Sequence, residues 1–146
     1  MKYLFSTFIC LVGFQMLFSQ APTIEWQNTL GGSNNDLLFS VIETSNGGYL
    51  LGGTTNSPIS GDITEGSIGQ NDYWIVKVDL SGNIEWQNTI GGSDEDQLNS
   101  IIETNDGGYL LGGYSSSGIS GDKTDTSKGS DDYWVIKLDI SGDIEW

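Results

Sequence analysis

Apolar residues in this chain come in short bursts rather than at helical spacing. Residues 37–44, 49–55, 72–80 and 84–90 each read as a β-strand, rich in β-branched and aromatic side chains. Turn signals separate them: Ser45-Asn46-Gly47-Gly48, a long Gly/Ser/Asp loop over 56–71, and Ser81-Gly82-Asn83. Glycines in the short turns supply the positive φ that tight hairpins need. The third strand is apolar on both sides, with Tyr73 and Ile75 on one face and Trp74, Val76 and Val78 on the other. Such a strand needs cover on both faces, unlike a sheet with one wet side. No helical spacing of apolar residues occurs beyond residue 20.

The same pattern returns after 60 residues without a gap. Ile24-Glu25-Trp26 recurs as Ile84-Glu85-Trp86 and as Ile144-Glu145-Trp146, and Asp72-Tyr73-Trp74 recurs as Asp132-Tyr133-Trp134. A gapless period marks one structural unit stacked on the next. Four antiparallel strands per unit, joined by short hairpins, predict an all-β fold. The specific form expected is a partial β-propeller: two four-stranded antiparallel blades plus an orphan N-terminal strand. The rivals are a β-solenoid, whose coils are usually shorter, and a β-sandwich, which would not repeat in this gapless way.

The run from Tyr73 to Trp86 resembles the quinoprotein-like propeller repeat, in which a strand ending in Asp, a Gly-containing turn and a Trp on the next strand close each blade. Asp139, Ser141, Gly142 and Trp146 repeat the pattern. The chain is also similar to long repeat proteins exported by bacteria with a type IX secretion system. That resemblance implies further blades and a C-terminal sorting domain. It does not extend to a quinone cofactor, because the cofactor-binding residues of the dehydrogenases have no counterpart here.

On this reading residues 24–30 form an outer strand donated to another blade. Residues 24–90 hold that strand and the first blade, and 91–146 hold a second blade cut short in its last strand. A ring usually has four to eight blades, so the expectation is a fragment of a longer protein or a head-to-tail oligomer. Residues 1–20 read as an export signal: Lys2, then an uncharged apolar stretch to Phe18, then Ser19, Gln20 and Ala21 ahead of Pro22. Cleavage is expected after Ser19 or Gln20, which removes the single cysteine, Cys10, and places the protein outside the cell or on its outer surface.

Charge narrows the partners. Twenty carboxylates against five lysines give a net charge of −15, which repels nucleic acid and anionic lipid. The absence of His and of any Cys beyond residue 20 excludes imidazole bases, ordinary zinc sites and thiol nucleophiles. Gly121-Asp122-Lys123-Thr124 lacks the Gly-Lys pair of a phosphate loop. No residue stands out as catalytic.

Antiparallel geometry puts the short turns on one rim of each sheet. The 56–71 loop and the 31–36 connection fall on the other, and the second unit repeats this arrangement. The long-loop rim carries most of the acids and is the candidate ligand face, with Asp62, Asp122, Asp125 and Tyr114 as its candidate contacts. Calcium is the ion considered, through Asp94, Asp96 and Asp36. Gly91-Gly92-Ser93-Asp94-Glu95-Asp96 resembles one unit of the Gly-Gly-x-Gly-x-Asp calcium repeat, but it occurs once per blade where that motif stacks consecutive turns. The competing reading is a polar turn whose Asp caps backbone N–H groups. The tryptophans lie within strands, which points to packing between sheets rather than to stacking on sugars.

The function expected is therefore a secreted or surface-attached binding and display module, contacting glycans, proteins or ions through its loops. The alternatives are a non-catalytic part of a secreted hydrolase or lyase, and a structural repeat of an adhesin-like stalk.

Overall fold

The computed structural model describes residues 21–146, so the export-signal reading of 1–20 lies outside the described residues. Seven strands follow in order: β1 (Asp36–Glu43), β2 (Tyr49–Thr55), β3 (Asp72–Val78), β4 (Ile84–Ile90), β5 (Asp96–Glu103), β6 (Tyr109–Ser115) and β7 (Asp132–Leu138). They form two antiparallel sheets of sequential hairpins, β1-β2-β3-β4 and β5-β6-β7, and the sheets do not close into a ring.

Strand ends agree with the turn signals. At the end of β3, Asp79 breaks the strand by accepting the N–H groups of Ser81 and Asn83 on Oδ1, each at 2.8 Å. Gly82 completes that turn at φ 83°, a region closed to most L-residues. Both first strands bulge at the same place, between Leu38 and Ser40 in β1 and between Leu98 and Ser100 in β5.

One expectation is corrected. Residues 24–30 form no strand, because among the described residues no strand edge lies beside them to complete a ladder. They instead lie on the β3–β4 turn, where the Asn28 side-chain amide donates to the Gly82 carbonyl at 2.5 Å. The second sheet has three full strands, and the cut-short fourth is Ile144–Trp146, which lies along β7 through Lys137 N–H to the Trp146 carbonyl and Glu145 N–H to the Lys137 carbonyl, each at 2.8 Å, and a bridge of Ile144 to Leu138.

The two sheets pack face to face through one apolar core. Leu50, Tyr73, Ile75 and Ile90 of the first sheet meet Leu98, Ile101, Tyr109, Leu111, Ile136 and Leu138 of the second. Close approach depends on Gly52: a Cβ there would stand 2.2 Å from Ile101 Cδ1 and 2.4 Å from Leu98 Cδ2. Polar bonds fix the register, including Ile101 N–H to Ser40 Oγ at 3.1 Å and Ser45 N–H to Glu103 Oε2 at 2.9 Å. A second cluster, Ile63, Trp74, Val76 and Val78, covers the far side of β3 with help from Leu30, Tyr49, Leu51 and Ile84. β3 is thus buried on both faces, as its sequence requires. Trp86 reaches across to Tyr109, with ring centroids 6.1 Å apart, and Tyr73 to Trp134 at 5.2 Å. These aromatic residues serve packing between the sheets.

Candidate functional site

The strand pairings place the long loops and the Gly-Gly connections together on one rim. Asp36 pairs with Thr55 and Tyr73 with Ile90 at that end, whereas Glu43 pairs with Tyr49 and Val78 with Ile84 at the other. The rim is built twice, in the same way.

In each unit one Asp gathers the entering chain. Asp36 Oδ2 accepts the Gly32 N–H at 2.7 Å, and its Oδ1 accepts the Thr55 hydroxyl at 2.6 Å. Asp96 holds the second unit through Oδ2 alone, taking the Gly92 N–H at 2.7 Å and the Ser117 hydroxyl at 2.9 Å. Asp62 and Asp122 hold the preceding glycine, accepting the N–H of Gly31 and of Gly91 respectively, each at 3.1 Å. Ser60 and Ser120 accept from Ser33 and Ser93 N–H at 2.9 and 2.8 Å. The loop and the connection are therefore tied by charge-assisted bonds, which are stronger than neutral ones.

The last turn of each long loop is held by a third Asp. Asp72 Oδ2 accepts the Ile68 and Gly69 N–H groups, and Asp132 Oδ2 accepts those of Lys128 and Gly129. Their surroundings differ. Asp132 is half-buried, and its backbone and Ser127 hydrogen bonds hold its carboxyl below the usual range. Asp72 is wholly buried at the junction between units, where Gly91 passes so close that a Cβ would lie 1.9 Å from Oδ1. Burial raises its pKa to about 6 against the two backbone bonds that lower it, and the charges of Asp96 and Asp122 add to the rise. Asp72 Oδ1 and Asp96 Oδ1 are both buried without a donor.

The candidate residues fall out as follows. Asp36 and Asp96 occupy equivalent places in different sheets and are engaged by backbone and hydroxyl donors. Asp94 is exposed, accepting only from its neighbour Ser93 at 3.2 Å. The three are not brought together, and among the described residues no group of three or more His, Cys, Asp or Glu is arranged to hold a metal ion. Asp62 and Asp122 brace the loops. Asp125 is exposed and bonds only the next N–H, at 2.9 Å. The Tyr114 hydroxyl donates to Glu95 at 3.0 Å, and burial together with that bond holds the phenol above its ordinary range. The solvent side of the rim therefore presents Asp94, Asp125 and Asp131 beside Ile59 and Ile119. The sequence does not single out the buried Asp72; its side chain differs from Asp132 in what packs above it and in lacking a hydroxyl donor such as Ser127.

The calcium reading is open to a direct measurement. A site held at 100 times its Kd would add about 2.7 kcal/mol to stability, or several degrees in Tm. With the carboxylates engaged as described, the expected Tm is the same in calcium and in chelator; a rise of several degrees with calcium would overturn that assignment.

The chain matches no model of a known protein family, and a comparison with curated proteins likewise finds no match.

Proposed function

We propose that this chain is a binding and display module of a secreted or cell-surface repeat protein. Its sheets would be stacked as blades of a partial propeller, with the long-loop rim turned to ligand. One observation carries the reading: the two units brace this rim with the same Asp and Ser bonds, yet present different side chains from it. Glu65 gives way to Asp125 and Ile68 to Lys128, all four exposed. A rigid scaffold with freely varied loops is how binding surfaces are commonly built. The rim is acidic and carries isolated apolar side chains, which suits neutral glycans or basic protein segments rather than anionic polymers. No side chain here is nominated for catalysis, and further blades are the partners expected on the two sheet faces.

The experiment is an array of immobilised glycans probed with the folded chain and with a variant carrying Ile119→Ser, Asp125→Ser and Lys128→Ser. All three positions are exposed, so stability should change by less than about 0.5 kcal/mol each. Selective binding by the chain, lost in the variant, is the expected result. Equal binding by both proteins would remove the rim from the account, and no binding would remove the glycan reading.

A further inference from the structure

We infer that a second copy of this chain docks head to tail on the first, inserting Tyr133 of one copy into an open pocket beside Trp74 of the other. The inference rests on the stacked-unit reading above and is independent of any ligand.

The contact between the two sheets works as a knob in a socket. Tyr73 is the knob, with no exposed surface. Its hydroxyl donates to the Trp134 carbonyl at 3.2 Å, and a Cβ on Gly113 would lie 2.5 Å from that hydroxyl. Leu98, also without exposed surface, lies on the same face of the second sheet. Sixty residues earlier the socket stands open: Trp74, Gly53, Leu38, Leu51 and Val76 line an apolar cavity of about 150 Å³. Sixty residues later the knob stands free: Tyr133 is 96 % exposed, and nothing lies within 4 Å of a Cβ placed on Gly112. One chain thus carries an empty socket at one end and an unused knob at the other, and the occupied pair between them shows that the two shapes fit.

The backbone offers the same match. β3 pairs with β4 through Trp74–Thr89, Ile75–Asn88 and Val76–Gln87, whereas the outer edge of β7 carries only Ile144–Trp146, bonded at Lys137 and Leu138, and is open along Tyr133–Ile136 among the described residues. Gln27-Asn28-Thr29 has the sequence of Gln87-Asn88-Thr89 and belongs to no strand. It is already placed as β4 is. Trp26 packs on Gly82 and Tyr49 as Trp86 packs on Gly142 and Tyr109, and Asn28 donates to Gly82 as Asn88 does to Gly142. A second copy set down by the step that relates the two units brings its residues 27–30 alongside Tyr133–Ile136 and its socket over Tyr133, with its Ile24–Trp26 set aside because Ile144–Trp146 of the first copy already hold that place on β7. A heterologous contact of this kind builds open chains or rings.

Sedimentation equilibrium on the purified chain tests this, up to about 100 µM, where micromolar affinities register. The expected mass climbs with concentration, and more steeply in high salt, because salt screens the net charge of −15. Leu38→Lys blocks the socket and Tyr133→Lys blocks the knob; both positions are exposed, so the monomer folds, as a melting curve verifies. Each variant alone should remain monomeric, and a mixture should form a one-to-one dimer that grows no further. A wild-type chain that stays monomeric overturns the docking, as does self-association surviving in either variant, or a mixture that does not pair. The stacked-unit reading fails separately, if replacing Tyr73 leaves monomer stability unchanged.

Discussion

Replacing Tyr73 by Ala is expected to destabilise the monomer by about 3–5 kcal/mol, the range for removing a large buried aromatic side chain. The same replacement at Tyr133 should change stability by less than about 0.5 kcal/mol. The two tyrosines sit in identical strand positions 60 residues apart, each after an Asp and before a Trp. Tyr73 has no exposed surface and Tyr133 is 96 % exposed. The difference arises from the second sheet, which covers one residue and not the other. Tyr73→Ala opens a cavity between the sheets, strips the Trp134 ring of its partner and removes the donor to the Trp134 carbonyl. Since a domain of this size is stable by only some 5–15 kcal/mol, the loss should be plain in the urea midpoint. The comparison belongs at about 1 µM, where association through Tyr133 does not intrude. Leu98 and Leu38 form a second matched pair, buried and 61 % exposed respectively, and should show the same asymmetry. Equal effects at the paired positions would mean that the sheets do not meet as described.

How far the sequence announces all this depends on which forces act locally. The strands could be placed because their boundaries are made by nearby residues, such as Asp79 turning onto Ser81 and Asn83. The repeat could be read because a stacked unit keeps the residues that touch its neighbour. The early β4-like segment could not. Residues 24–30 carry the strand sequence, but a strand needs an edge to pair with, and that edge is not beside them. The acids were equally opaque. An Asp holding a glycine N–H and an Asp reaching for a ligand look alike in sequence, so Asp62 and Asp122 pass for ligand contacts and Asp36 and Asp96 for calcium ligands, when all four brace the loops. The solvent side is left to Asp94, Asp125 and Asp131, of which the sequence singles out the first two. The exposure of Tyr133 was hidden for a related reason: it follows from what lies above the residue, not from the residue.

Asp72 shows the same dependence on surroundings in a form that titrates. Its pKa is raised from 3.8 to about 6, chiefly by burial, so the folded chain holds that proton more tightly than the unfolded one does. The favourable contribution is complete below pH 3.8 and is lost as pH rises through 6. A shift of this size corresponds to about 3 kcal/mol. Asp132 has the opposite sign: its carboxyl is held below the usual range, so its contribution is present at neutral pH and lost on acidification. Asp72→Asn keeps an oxygen for the Ile68 and Gly69 N–H groups while removing the buried charge. The variant should gain on the wild type as pH rises from 4 to 8, overtaking it at the alkaline end, with ΔG followed by urea denaturation at each pH. Asp132→Asn should instead lose ground to the wild type on passing from pH 3 to pH 6. Repulsion among the remaining carboxylates slopes all three curves alike, so it cancels in the differences. If the Asp72→Asn difference is flat from pH 4 to 8, the buried carboxyl is not held in its neutral form, and the unpartnered Oδ1 must have found a donor that keeps it charged.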